Sequence, residues 1–241
     1  MERSAYLDMA AMEARHWWFV GRRRIVAALL RQLHLRPGAA ILDLGSGTGG
    51  NLAMLSRFGA VTAVEMDKTA REFSAARCPG VDLRAGKLPD ELPLSGQTFD
   101  LICLFDVLEH ISEDDATLRA VKAHLAPGGA LLLTVPAHQS LFGAHDIEHH
   151  HKRRYARAEL RQKLVAAGFR VERLSYMNAL LFPAAWLLRW LDRRLGRDRA
   201  TASGLPAAPV NAALAALFGA EAQLLPRWNL PFGLSLLAVA R

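Results

Sequence analysis

The chain has 241 residues, 51% of them apolar, and a formal net charge of +7. That length suits one α/β domain with a cap or an insertion, and that apolar fraction excludes a disordered chain. Two cysteines, Cys78 and Cys103, are too few and too far apart for a disulfide framework.

Residues 1 to 36 read as helical, with an aromatic element at His16-Trp17-Trp18-Phe19 followed by Arg22-Arg23-Arg24. Such an element either closes over a site as a lid or packs its aromatic face on the core. Pro37-Gly38 breaks the run. Strands and helices then alternate. Ala39 to Leu44 is a short buried strand, Gly50 to Phe58 a helix, and Val61 to Glu65 a second strand. Lys68 to Arg77 is a helix ended by Pro79-Gly80, and Val81 to Ala85 is a third strand. Phe99 to Asp106 is a fourth strand, apolar almost throughout. Ser112, followed by acids, reads as the cap of the next helix. After Pro127-Gly128-Gly129 come a fifth strand over Ala130 to Val135 and a helix over Arg157 to Ala167. A sixth strand over Phe169 to Tyr176 and a last strand over Leu234 to Ala240 complete the pattern.

Near-continuous apolar strands alternating with helices predict an α/β fold, a doubly wound sheet covered on both faces. The expected organisation is a helical cap over residues 1–36, a core over 37–176, a helical insertion over 177–230, and the last core strand in 231–241. The insertion is rich in Ala, Leu, Pro and Trp. Its segment from Leu180 to Leu191, with basic residues beyond, fits a core helix, a substrate pocket, a subunit face or a helix lying on a membrane. The longest apolar stretch, Ala179 to Leu188, is well short of the ~20 residues a membrane span needs. With no apolar leader at the start, a cytoplasmic protein is expected, with peripheral contact at the inner membrane face as an added expectation. The basic clusters suit nucleic acid or anionic lipid. A solvated surface is the simpler reading of each.

The most informative segment is Ile41-Leu42-Asp43-Leu44-Gly45-Ser46-Gly47-Thr48-Gly49-Gly50, which joins the first strand to the first helix of the core. In open α/β sheets, ligands bind at this edge. The glycines satisfy G-x-G-x-x-G, which also marks dinucleotide sites. Glu65, at the end of the second strand, suits the ribose of either an NAD or an S-adenosylmethionine. Asp43 separates the two. A carboxylate two residues before the first glycine opposes a pyrophosphate and suits a sulfonium ligand that carries an ammonium group.

The stretch Phe99-Asp100-Leu101-Ile102-Cys103-Leu104-Phe105-Asp106-Val107-Leu108-Glu109-His110-Ile111 ends its strand at Asp106, beside the glycine loop. Together with Val64-Glu65-Met66-Asp67 and Leu125-Ala126-Pro127-Gly128-Gly129, it resembles the class I S-adenosylmethionine-dependent methyltransferases, near the ubiquinone-biosynthesis O-methyltransferases. The resemblance covers about residues 36 to 176 and the last strand. It implies a Rossmann-like seven-stranded sheet whose last strand runs antiparallel beside the penultimate one. It implies S-adenosylmethionine as cofactor, in a site formed by Asp43, Gly45, Ser46, Gly47, Thr48, Gly49 and Asn51 with Glu65, Met66, Phe105 and Asp106. Asp43, Gly45 and Gly47 would line the methionine part, Glu65 would hold the ribose, and Met66 would pack on the adenine. The family often has an acid after a glycine beyond the third strand. Here Lys87 follows Gly86, so that adenine contact is not carried over.

A histidine-rich segment, His145-Asp146-Ile147-Glu148-His149-His150-His151-Lys152-Arg153-Arg154-Tyr155, follows the fifth strand. It resembles a group of bacterial methyltransferases found among surface-polysaccharide and lipid-modifying functions. His145, Asp146, His151, Arg153, Arg154 and Tyr155 carry that likeness, with Trp17-Trp18-Phe19 and Asn178-Ala179-Leu180-Leu181-Phe182-Pro183. A histidine suits a general base for a hydroxyl or amine nucleophile. The expected catalytic group is His145, assisted by Asp146 or His151, with His110 as the competing base. His149 and His150 read as exposed loop residues. Arg153-Arg154-Tyr155 either clamp an anion or pair with acids of the same domain. No C-x-x-C or H-E-x-x-H spacing is present, so no metal site is expected. The expected reaction is methylation of a small-molecule acceptor, most simply O-methylation of a sugar-, lipid- or polyketide-like compound. The alternatives are RNA N-methylation, for which no RNA-binding motif is visible, and a non-catalytic regulatory protein that only binds the cofactor.

Overall fold

Seven strands form one sheet in this computed structural model, which describes residues 3–184, 186–187, 194 and 204–241. They are β1 (Ala40–Leu44), β2 (Ala60–Glu65), β3 (Asp82–Ala85), β4 (Phe99–Phe105), β5 (Leu125–Pro136), β6 (Val171–Met177) and β7 (Ser235–Ala240). The order across the sheet is β3-β2-β1-β4-β5-β7-β6. The pairs among β1 to β5 are parallel, and β7 runs antiparallel to both β5 and β6. This is the sheet that the resemblance implies. The winding reverses between β1 and β4, so a crevice opens beyond the carboxyl ends of these two strands.

Side chains alternate across a strand, and here both sets are buried. Leu42, Ile102, Leu104 and Leu131 join one core with Leu118 of α5 (Asp114–Ala123) and Leu160 and Leu164 of α7 (Arg157–Ala166). Ile41, Leu101, Cys103 and Leu132 join a second core with Ile25, Val26 and Leu29 of α2 (Trp17–Leu30) and Phe218 of α8 (Ala208–Leu224). The buried Cys103 is the small core residue its apolar surroundings predict.

The pairing of α2 with α8 needs Gly21. A side chain there would collide with the Phe218 ring. Trp17 meets the same ring edge-on at 5.9 Å. Glu221 of α8 is buried and accepts backbone N–H bonds from Asn178 (2.8 Å), Ala179 (2.7 Å) and Leu180 (3.1 Å), which stitches α8 to the end of β6. Residues 208–224, within the stretch read as an insertion, are therefore part of the cover of the sheet.

Two local expectations change. The helix expected over Gly50 to Phe58 is confined to α3 (Leu52–Leu55). The chain must turn early, because the Ala60 N–H already donates to the Ala39 carbonyl (2.8 Å) to set the register of β2 on β1. Ser112 does not cap α5, which starts at Asp114 after Glu113. The buried Asp114 is instead drawn into bonds with Arg153, Tyr155 and Lys163, and these tertiary contacts outweigh a local cap.

Of the segment from Leu180 to Leu191 considered for membrane contact, and the basic residues beyond it, residues 185, 188–193 and 195–203 lie outside the described residues. Leu180, Trp186 and Leu187 of that segment are exposed. No helix among the described residues is long and apolar enough to cross a membrane.

Candidate active site

The loop after β1 turns through Gly45 at φ +70°, and a Cβ there would meet Val107 at 2.7 Å. Only glycine combines that conformation with that closeness. The Gly45 N–H donates to the Val64 carbonyl (2.8 Å) and the Gly47 N–H to Glu65 Oε2 (2.9 Å). The other Glu65 oxygen accepts from the Asp67 N–H (2.9 Å). Loop and β2 end are thus one unit. Each Glu65 oxygen keeps a second lone pair for a further donor. Met66 beside it is 65% exposed. Asn51 is buried at the start of α3.

Asp43 is 2% exposed, and its Oδ2 accepts no hydrogen bond among the described residues. The Ser46 hydroxyl is likewise buried and unpartnered among them. Burial pushes the Asp43 carboxyl up to about 7. The Arg22 charge opposes this rise, and the Glu13 and Glu65 charges add to it.

The N-terminal helices close on this loop. Glu13, near the end of α1 (Arg3–Arg15), accepts hydrogen bonds from the Thr48 hydroxyl and from Arg77 (2.9 Å). Arg77 also donates to the Thr48 carbonyl (3.1 Å). From α2, the buried Arg22 pairs with Asp106 at the end of β4. Its guanidinium lies 4.5 Å from the Trp18 ring centre and 5.8 Å from that of Phe105. Asp106 takes φ +56° and also accepts from the Thr134 hydroxyl (3.1 Å). The aromatic element packs on the core, as one of its two expected readings has it: Trp17 and Trp18 both pack against the second core, and Trp18 also lies against Arg22.

Beyond Asp106, a single 3₁₀ turn over Leu108–His110 carries Glu109 and His110. Glu109 is fully buried, and neither of its oxygens accepts a hydrogen bond among the described residues. Burial first, and the Asp106 charge second, push its carboxyl well above the usual range. His110 is exposed and meets His151 edge-to-face at 4.7 Å.

His151 arrives from the segment after β5, through α6 (Ala144–Glu148). The backbone fixes the approach: the Lys152 N–H donates to the Glu109 carbonyl (2.8 Å). Asp146 is buried and accepts from His151 Nδ1 (2.9 Å), Arg154 Nε (2.8 Å) and the Gly143 N–H (2.9 Å). Burial opposes ionisation, yet the bonds from His151 and Arg154 hold the Asp146 carboxyl well below the ordinary range. His145 stands in α6, but its side chain lies outside those described. His149 and His150 are exposed.

Arg153, Arg154 and Tyr155 are engaged by acids of the same domain. Arg153 and the Tyr155 hydroxyl reach Asp114 (3.0 and 2.9 Å), and Arg154 reaches Asp146. Nothing in the sequence distinguishes Glu109 from its neighbours; its burial without a hydrogen-bond partner among the described residues does.

The sheet order and the glycine loop are those expected of a class I S-adenosylmethionine-dependent methyltransferase. Residues 15–174 match the family model described as a methyltransferase domain, and the chain belongs to that family. It is 30% identical over 160 residues to a Mycolicibacterium smegmatis protein named "Probable S-adenosylmethionine-dependent methyltransferase", a match spanning 65% of this chain and 61% of that protein. It is 33% identical over 197 residues to the ubiquinone biosynthesis O-methyltransferase of Xanthomonas axonopodis pv. citri, spanning 71% of this chain and 82% of that enzyme. Among solved structures, the methyltransferase in complex with the Haloferax volcanii Trm112 activator has the same fold. The TM-score is 0.63 at 17% identity, over 99% of this chain and 96% of that one. The protein is a methyltransferase with S-adenosylmethionine as its cofactor.

Proposed function

We propose that the crevice between β1 and β4 catalyses O-methylation of a hydroxyl on a small molecule of the sugar, lipid or polyketide type. The observation that carries this reading is the meeting, at one sheet edge, of the Asp43–Glu65 loop with the Glu109–His110–His151 cluster.

The donor set suits the cofactor. The buried Asp43 oxygen suits its ammonium group, and the Gly45 to Gly49 backbone lines its methionine part. The spare lone pairs of Glu65 suit the ribose hydroxyls, and the exposed Met66 suits the adenine face. Phe105 and Asp106 form the adjoining wall, and Asn51 and Thr48 shape the loop from behind. When bound, the cofactor supplies an electrophilic methyl group.

The chain's own contribution is position, exclusion of water and handling of a proton. Arg22, Trp18 and Glu13 cover the crevice from the N-terminal side. The acceptor hydroxyl enters by the exposed His110. Asp146 holds His151 in one orientation with Nδ1 protonated, which leaves Nε2 as the basic nitrogen. The proton acceptor is thus the His110–His151 pair. The orienting acid is Asp146, and His145 stands in the helix that leads to it. The likeness to the ubiquinone enzyme supports oxygen as the acceptor atom.

The experiment is incubation of the protein and isotopically labelled methyl donor with cell extract, followed by mass spectrometry. Label in a small-molecule methyl ether is the expected result, and label confined to RNA would overturn the reading. Glu65→Ala is expected to weaken S-adenosylmethionine binding by about 1–3 kcal/mol, through loss of charge-assisted bonds. A dissociation constant unchanged by calorimetry, with the fold intact, would move the ribose site elsewhere.

A further inference from the structure

We propose that Glu109, His110 and His151 bind one divalent transition-metal cation at the mouth of the crevice. Each offers one ligand atom, and the three atoms lie within 4.8 Å of one another. A cation bonded at about 2.1 Å holds such atoms about 3–3.5 Å apart, so binding draws the three side chains closer together.

Three observations point to a ligand here. Glu109 is a fully buried carboxylate with both oxygens unpartnered among the described residues. Burying a carboxylate without partners is costly, and native proteins rarely leave such groups unexplained. A cation satisfies it. Next, the bond from His151 Nδ1 to Asp146 (2.9 Å) presents Nε2 as the ligating nitrogen. A carboxylate behind a histidine is the usual outer layer of a metal site. Asp146 is itself fixed by Arg154 and the Gly143 N–H, so this layer is rigid. Finally, the His110 and His151 rings stand nearly perpendicular, at 82°, and His110 is exposed, so a solute ion can reach the cluster.

Asp106 is outside this set, and its Oδ2 is held by Arg22 and Thr134. Two imidazoles and one carboxylate with open positions suit zinc, iron, cobalt or manganese rather than calcium. Spacing within one segment does not reveal the set. Its two arms follow different strands, and the Lys152–Glu109 backbone bond brings them together.

The role of the cation rests on the proposed O-methylation, whereas its binding does not. An open position takes the acceptor's hydroxyl oxygen, which increases the acidity of that hydroxyl, and its proton leaves to solvent. In that state the imidazoles are ligands, and the cation replaces them as the activating group.

The test uses the full chain, free of any histidine tag and stripped with chelator, titrated with Co²⁺ alone by calorimetry and visible absorption. One Co²⁺ per chain is expected, with ligand-field bands of a nitrogen–oxygen site. Glu109→Gln, which preserves shape, and His151→Ala should each weaken binding at least about tenfold. His34→Asn, at an exposed left-handed position that asparagine tolerates, should leave binding unchanged. Absence of binding, or binding insensitive to both ligand substitutions, overturns the proposal. If Glu109→Gln fails to melt cooperatively, His151→Ala decides. Titration of the same samples with S-adenosylmethionine separates the outcomes. Cofactor binding without Co²⁺ binding removes the metal site and leaves the methyltransferase reading in place.

Discussion

Replacing His151 with alanine is expected to lower methyl transfer by roughly 10²–10⁴-fold, with cofactor affinity changed by less than about threefold. His151 is the histidine that Asp146 orients, and it contacts His110 in the 3₁₀ turn that follows β4. The proposed cofactor donors are Asp43 and Glu65 and not His151, so the loss should fall on turnover and not on cofactor binding. His110→Ala should behave in the same direction. The measurement is single-turnover transfer to the acceptor that the labelling experiment identifies. Full activity in His151→Ala with loss in His145→Ala would return the base to the residue that sequence alone favours. Full activity in all three variants would mean that proximity alone drives the transfer.

The second large effect concerns Asp43→Asn, which should weaken S-adenosylmethionine binding by about 2–3 kcal/mol at neutral pH through loss of a charge-assisted bond. The charge state of Asp43 is set by burial and by its neighbours: Arg22 from α2, Glu13 from α1, Glu65 from β2, with the Cys103 thiol behind it on β4. In the free protein its carboxyl titrates at about 7. An ammonium ligand pairs with the ionised form, so wild-type affinity should rise about tenfold from roughly pH 5.5 to pH 7, and the asparagine variant should lose that rise.

The same shift has a stability sign. The folded carboxyl keeps its proton between about pH 4 and pH 7, where an unfolded aspartate has released it. Stability therefore falls as pH rises through this window, and Asp43→Asn removes the fall. Thermal melts at the two ends of the window check this. A variant that binds less cofactor yet melts higher at pH 8 is the signature of a carboxylate held for its ligand.

What could be read from sequence was local. The glycine loop, the strand ending at Asp106 and the sheet class follow from turn chemistry and apolar runs, and the strands fall within a residue or two of their expected places, apart from β5, which begins earlier at Leu125. What could not be read depends on distant pairs. Arg22 on Asp106, Glu13 between Thr48 and Arg77, and Glu109 beside His151 each join segments that no spacing rule links. The same applies to Arg153 and Tyr155. Their pattern suits an anion clamp as well as it suits Asp114, and only packing chooses between them. The pairing of Asp146 is similar. Sequence puts His145 beside it, whereas the fold turns His151 onto its carboxylate.

The most direct test of the account is calorimetric titration of the free protein with S-adenosylmethionine, S-adenosylhomocysteine and NAD. Saturable binding of both sulfur compounds at one site per chain, abolished or strongly weakened in Asp43→Asn, and no heat from NAD, is the predicted result. Binding of NAD with no response to either sulfur compound would contradict it.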